Sequence, residues 1–242
     1  MTPKLQGKRV LITGGARRVG RMWSLAVARL GAEVLIHHAH SPAEAAETAG
    51  LVAQAGGRPV VLQADLSDPA QVEGLMAQAL AAGPLFALVN NAAIFEPLDW
   101  QTTDLAAWER HLRLNLTAPF LLSQAFARAV PPHGHGRIVN ILDWRALRPG
   151  ADHLPYTVSK AALAALTRAL ALSLAPRIAV NGIALGAVLP PADGGGQGVL
   201  QAVPAGRRAT PEEVAATLTF LLTGPAYLTG EILHLDGGRH LV

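Results

Sequence analysis

Tyr156-Thr157-Val158-Ser159-Lys160 sets a phenol and an ammonium four residues apart, on one face if the segment is helical. A free phenol, with a pKa of about 10, is a poor acid-base group at neutral pH, and a nearby lysine charge would lower that value toward the useful range. The two side chains can therefore act as one proton-handling unit. The same spacing also occurs on plain exposed helix faces, so the pair means chemistry only if other motifs accompany it.

The first companion is Thr13-Gly14-Gly15-Ala16-Arg17-Arg18-Val19-Gly20, directly after a short apolar run. Gly14 and Gly20 permit a tight turn and close helix-strand packing, and the free N–H groups at a helix start suit a pyrophosphate. The glycine spacing differs from G-x-G-x-x-G, so its position between a first strand and a first helix carries the weight.

The next apolar run ends in His37-His38-Ala39-His40-Ser41, with no Asp or Glu to accept a ribose 2′-OH. That favours NADP over NAD. Arg18, His40 and Ser41 could donate to a 2′-phosphate, and such charge-assisted bonds are the strong ones. Three histidines within four residues also raise a metal site, yet strand alternation puts only His38 and His40 on one face, and no carboxylate adjoins them. Asp65-Leu66, after the third run, sits where an adenine edge could be read, or simply begins the next turn.

These groups must be held by elements. Short Val/Ile/Leu runs alternate with longer Ala-rich stretches, the pattern of repeated βα units. Strands are predicted over Arg9 to Thr13, Glu33 to His37, Pro59 to Gln63, Phe86 to Asn90, Arg137 to Leu142, Ile178 to Ile183 and Ile232 to Leu235. Because the first six are nearly continuous apolar runs, both of their faces should be covered, as in a parallel sheet between helix layers. Helices are predicted over Val19 to Leu30, Pro42 to Ala55, Pro69 to Ala82, Leu105 to Ala129, Tyr156 to Leu174 and Pro211 to Leu222. Ser41-Pro42, Ser67 to Pro69 and Thr210-Pro211 place capping residues before first-turn prolines, and Thr210 with Glu213 matches a capping box. The fold class expected is α/β: a single-domain, Rossmann-type, doubly wound sheet of about seven mostly parallel strands, spanning residues 1–242. Leu185 to Gly206, with Pro190, Pro191 and Gly194 to Gly196, reads as a substrate loop over the carboxyl ends of the strands.

Composition narrows the class. At 242 residues, 50% hydrophobic and 15% charged, the chain suits one compact α/β domain. Zero cysteines exclude disulfides, thiolate catalysis and a Cys-built zinc site. The N-terminal apolar run, Val10 to Ile12, is far short of a secretory core or membrane span, so a soluble cytoplasmic protein without a membrane partner is expected. Net charge is +3, with basic residues in separate pairs (Arg17 and Arg18, Arg145 and Arg148, Arg207 and Arg208), so no nucleic-acid partner is expected.

Taken together, the TGGARRVG turn, Asn90-Asn91-Ala92-Ala93, Asn115, Tyr156-x-x-x-Lys160 and Asp236-Gly237-Gly238 after Leu228-Thr229-Gly230 resemble the short-chain dehydrogenase/reductase family over essentially the whole length. The resemblance implies an NADPH-dependent oxidoreductase. Tyr156 would donate the proton that accompanies hydride transfer, and Lys160 would bind the nicotinamide ribose and tune the phenol. Asn115 would hold a relay water, and Asn90 to Ala92 would line the cofactor. The cofactor-binding set is then Gly14, Arg17, Arg18, Val19, Gly20, His37, His40, Ser41, Asp65, Leu66, Asn90, Ala92 and Lys160. The family's common assembly implies a homotetramer, consistent with the apolar character of the two longest predicted helices.

One departure is informative. Thirteen residues before the tyrosine, where the family usually has a serine that polarises a carbonyl, stands Asp143. An ionised carboxylate only accepts hydrogen bonds and would repel the oxyanion of a reacting ketone. It suits a heterocycle rich in N–H groups, or could deliver a proton to a ring nitrogen if its pKa is raised. The substitution resembles the pteridine reductase branch, including bacterial dihydromonapterin reductases, in which Asp, Tyr and Lys form the catalytic set. In that branch an aromatic at the position of Phe95 stacks on the pterin, so Phe95, Asp143 and Tyr156 are the expected substrate contacts. Ala93, Leu185-Gly186 and His40 depart from the branch's usual serine, Pro-Gly and arginine. Three other readings stand beside this one: a carbonyl reductase for 3-oxoacyl or sugar substrates, a non-catalytic NADP-binding sensor, and a member whose Asp143 marks lost activity, with Phe95 and Trp144 as plain packing residues.

Overall fold

A computed structural model describes residues 4–190 and 198–242. Seven strands form one sheet: β1 (Arg9–Ile12), β2 (Glu33–His38), β3 (Arg58–Gln63), β4 (Ala87–Asn90), β5 (Gly136–Asp143), β6 (Ile178–Leu185) and β7 (Ile232–Leu235). Their order is β3-β2-β1-β4-β5-β6-β7, with every neighbouring pair parallel. Side-chain alternation along each strand divides the core between two faces. Val10, Ile12, Val34, Ile36, Val89, Val139 and Ile141 pack with α1 (Arg18–Ala28), α2 (Pro42–Gln54) and α7 (Pro211–Thr223). Leu11, Leu35, Leu88 and Ile138 face α3 (Pro69–Leu80), α5 (Ala118–Ala129) and α6 (Leu154–Leu174). Trp23 on the first face and Phe126 on the second are wholly buried, each worth roughly 1.5–3 kcal/mol of transfer energy.

The predicted helix over Leu105 to Ala129 is interrupted. It runs as α4 (Leu105–Leu112), a π-turn (Arg113–Thr117) and α5, and the extra residue of the π-turn rotates Asn115 into the interior, where it is fully buried. Caps follow the local chemistry only in part. Thr210 and Glu213 close a reciprocal capping box, and Asp68, rather than Ser67, caps α3 through Ala70 N. Ser41 makes no side-chain cap. Of the predicted substrate loop, residues 191–197 lie outside the described residues, while Val199–Ala202 forms one 3-10 turn. Helix α6 is long and apolar enough by composition to cross a membrane. Here it packs against β5 and β6 and buries Tyr156 and Lys160.

All strands being parallel, their carboxyl ends share one edge, and the order reverses on either side of β1. The crevice at such a switch point is where ligands of doubly wound sheets bind.

Candidate active site

A cleft of about 860 Å³ opens at that edge. One wall is the glycine turn. Gly14 has φ +61°, and a Cβ on Gly20 would lie 1.9 Å from the Gly14 carbonyl oxygen, so the close approach of α1 to β1 requires glycine there. Arg17 caps α1 without a side-chain bond, and the first turn holds no acidic residue. The N–H groups at this helix end and their positive dipole face the cleft unopposed, which fits an anionic pyrophosphate.

Segments distant in sequence lock onto the turn. Asn91 Nδ2 donates to the carbonyls of Thr13 (2.8 Å) and Gly14 (3.2 Å), and Thr13 Oγ1 accepts from Asn91 N (2.9 Å) and Ala92 N (3.0 Å). Gly14 N donates to His37 Nδ1 (3.0 Å), so the proton of that ring sits on Nε2, which donates to Ala64 O (3.0 Å). Burial holds His37 down to about 4, and a second ring proton would point at the Gly14 N–H. His37 thus shapes the floor of the cleft and keeps both nitrogens inside the protein.

The expected cofactor set divides accordingly. Gly14, Arg17, Arg18, Val19, Gly20, His37, His40, Ser41, Asp65, Leu66, Ala92 and Lys160 all line the cleft. Asn90 does not. Its amide turns inward to Ser123 Oγ (3.3 Å) and Asn140 Oδ1 (2.8 Å), bracing β4 against β5 and α5. Asp65 Oδ1 accepts from Ser67 N (2.9 Å) and Ser67 Oγ (2.8 Å), the turn-starting role, and these bonds lower its pKa. Arg18 Nη2 reaches across the mouth to Pro190 O (2.8 Å). Sequence reasoning did not assign to the cofactor Arg208, which lines the cleft with a buried Nε that has no hydrogen-bond partner among the described residues, or His38, whose buried Nδ1 likewise has none among them. Each stands in a run noted in the sequence, the histidine cluster and the Arg207-Arg208 pair, but neither run shows which of its members faces the cleft. Among the described residues no three His, Cys, Asp or Glu side chains gather as metal ligands.

At the chemical end, β5 delivers Asp143 at its last residue and the first two turns of α6 deliver Tyr156 and Lys160. The Tyr156 hydroxyl donates to Asp143 Oδ2 (3.3 Å). Lys160 Nζ donates to Ile141 O (2.7 Å) and lies 5.7 Å from the Tyr156 ring centroid. Asp143 Oδ1 accepts from Arg145 N (2.9 Å), with Arg145 Nη1 at 3.9 Å. The Phe95 ring meets the Tyr156 ring edge-on at 4.6 Å. So the structure brings together Asp143, Tyr156, Lys160 and Phe95. Asn115 stands behind them: its amide bonds Ile94 N (3.0 Å), Ile94 O (3.1 Å) and Ser159 Oγ (3.0 Å), fixing the segment that carries Phe95, and both its N–H groups are already used. Its side chain does not line the cleft.

Comparisons with known proteins find relatives along essentially the whole chain. The family model described as enoyl-(acyl carrier protein) reductase matches residues 14–240. The 3-oxoacyl-[acyl-carrier-protein] reductase of Synechocystis sp. is 31% identical over 94% of this chain and 95% of its own. The chain belongs to the short-chain dehydrogenase/reductase family. Among solved structures, FolM alternative dihydrofolate reductase 1 from Brucella canis, complexed with NADP, is 37% identical, covers 100% of this chain and 97% of its own, and superposes with a TM-score of 0.90. A short chain dehydrogenase from Burkholderia cenocepacia in complex with NADP is 34% identical, covers 98% and 99%, and has a TM-score of 0.90.

As a short-chain dehydrogenase/reductase, this chain is an NADP-dependent oxidoreductase, and the cleft's glycine turn, helix start and arginines fit that cofactor. Its electrostatics differ from the expectation that lysine alone tunes the phenol. Burial raises the Tyr156 pKa well above its usual value, and the Asp143 carboxylate beside it adds to the rise. Burial also raises Asp143, against the Arg145 N–H, the Arg145 and Lys160 charges and the Tyr156 hydroxyl. Lys160 falls to about 8 through burial, with Asp143 opposing. Around neutral pH the phenol therefore keeps its proton.

Proposed function

We propose that the protein uses NADPH to reduce a dihydropterin or related folate-type ring. The observation that carries this reading is Asp143 in hydrogen-bond contact with Tyr156, in the place of a carbonyl-polarising serine. Bound in the cleft, the nicotinamide supplies a hydride to the carbon of a ring C=N bond. The chain supplies the rest. Tyr156, protonated at neutral pH, donates the proton that the ring nitrogen takes up, and Asp143 accepts from ring or amino N–H groups or passes a proton taken up from solvent to the phenolate left behind. Lys160 holds the cofactor ribose. Phe95, 53% exposed and lining the cleft, offers a flat face to the substrate ring. Arg18, His40 and Ser41 hold the 2′-phosphate.

The likeness to the Brucella dihydrofolate reductases supports this reading, while the Synechocystis relative supports reduction of a 3-oxoacyl thioester. Asp143 supports the first reading, since a carboxylate opposes the negative charge that gathers on a ketone oxygen. The test follows NADPH oxidation with dihydrobiopterin, dihydromonapterin, dihydrofolate and a 3-oxoacyl thioester, for the parent enzyme and Asp143→Ser. Pterin turnover abolished by the substitution is expected. Thioester turnover preserved or improved by it, with no pterin turnover in the parent, overturns the proposal.

A homotetramer completes the reading, supported by exposed Phe120 on α5 and Leu172 on α6, the latter 85% accessible. Sedimentation at a single-subunit mass contradicts it.

A further inference from the structure

Backbone strain, ring stacking and a hydrogen bond to a carboxylate meet at His153. It precedes α6 with φ 54° and ψ 44°, a left-handed conformation that costs a side chain free energy, yet its ring makes no capping bond. The ring lies parallel to Phe95, centroids 4.0 Å apart and planes within 12°. Its Nδ1 is 2.8 Å from Asp152 Oδ2, the same oxygen that accepts from Arg145 Nη2 at 2.8 Å. Arg145 in turn lies over Trp144, 4.6 Å from its centroid, and 5.8 Å from that of Phe95. The strained residue is thus held by a carboxylate and carries an imidazole against the back of Phe95.

Phe95 needs such a support. It belongs to the irregular segment after β4, whose backbone is pinned on either side of it, at Ile94 by Asn115 and at Glu96 O by Leu98 N, while its ring is held by neither bond. With one face on His153 and an edge-to-face contact with Tyr156, the residue still keeps 53% of its surface exposed where it lines the cleft. We propose that His153 is a positioning residue for the substrate: it fixes the Phe95 ring so that its open face receives a planar heteroaromatic ring, giving a stack of imidazole, phenyl and substrate. The inference rests on the dihydropterin reading and adds a specificity element to it, because only a flat ring gains from a pre-oriented phenyl face. An unsupported phenyl would lose its rotational freedom when substrate arrives, so the effect falls on substrate affinity rather than on the chemical step.

His153→Gly and His153→Phe test it in the full-length enzyme. Glycine adopts the left-handed backbone freely, so the fold is kept while the ring is lost. The glycine variant should raise KM for dihydropterin about threefold to tenfold, as expected for one lost aromatic contact, with kcat within about twofold. NADPH affinity, read by fluorescence titration, and melting temperature should stay close to the parent's. The phenylalanine variant should bring KM back toward the parent value. A glycine variant with parental KM for dihydropterin overturns the inference, as does a rise in KM matched by an equal loss of NADPH affinity. Should the parent enzyme reduce no pterin at all, the functional reading fails first and this one falls with it, an outcome distinct from a parent that turns over pterin while the variant matches it.

Discussion

The Tyr156 hydroxyl donates to Asp143 Oδ2 at 3.3 Å, so the group that gives the proton in this family is paired here with an acid instead of a serine. Burial first, and the carboxylate second, hold the phenol above its usual range. Tyr156 and Tyr227 are the protein's two tyrosines, so a Tyr227→Phe background isolates the first for ultraviolet titration. In that background Asp143→Asn should move the phenolate midpoint downward while burial keeps it above that of a free phenol. Pterin reduction at pH 7 should fall by about 10²-fold or more. A midpoint that does not move would show that the acid leaves the phenol untouched.

Lys160 is charged at a cost. Burial depresses its folded pKa to about 8 from 10.5, so the unfolded chain binds more protons between those values. Stability contributed by this site is therefore lowest below pH 8 and recovers as pH rises toward 10.5. Lys160→Met should abolish activity yet raise the stability of the cofactor-free protein at pH 7, on the order of 1 kcal/mol, since loss of the Ile141 bond and of the charge facing Asp143 offsets part of the gain. Denaturant titrations at pH 7 and pH 10 check it, and the advantage should vanish at the higher value.

His37 acts in the same pH direction over a lower range. Its folded pKa of about 4 lies below the free value of 6.5, so its contribution is complete above pH 6.5 and is lost as pH falls through 4. The full loss amounts to about 3 kcal/mol. In His37→Gln, urea unfolding between pH 7 and pH 4 should show a shallower decline than in the parent. Equal slopes would mean that the ring is protonated without penalty.

Two glycines separate local propensity from close approach. Gly20→Ala puts a methyl 1.9 Å from the Gly14 carbonyl oxygen and should cost more than about 2 kcal/mol while weakening NADPH binding. Gly50→Ala, inside α2 with open space around it, should stabilise by about 0.5–1 kcal/mol and leave cofactor affinity alone. Thermal melts with fluorescence titration of NADPH read both, and a stable, tightly binding Gly20→Ala would contradict the geometry.

What could be read from residue order is what short-range physics governs. The βα alternation, the parallel sheet, the glycine turn, the Thr210 capping box and the four-residue spacing of Tyr156 and Lys160 depend on neighbours within a turn or two. Long-range packing settled the remainder. It turned Asn90 into the core, tied up both nitrogens of His37, swung Asn115 inward on a π-turn and brought Arg208 to the cleft wall. It also reversed the expected tuning of the phenol, because burial and Asp143 raise it and the charge that opposes them is that of Arg145. These outcomes hinge on contacts between segments far apart in the chain and on how much water they exclude, neither of which leaves a periodic mark in the order of residues.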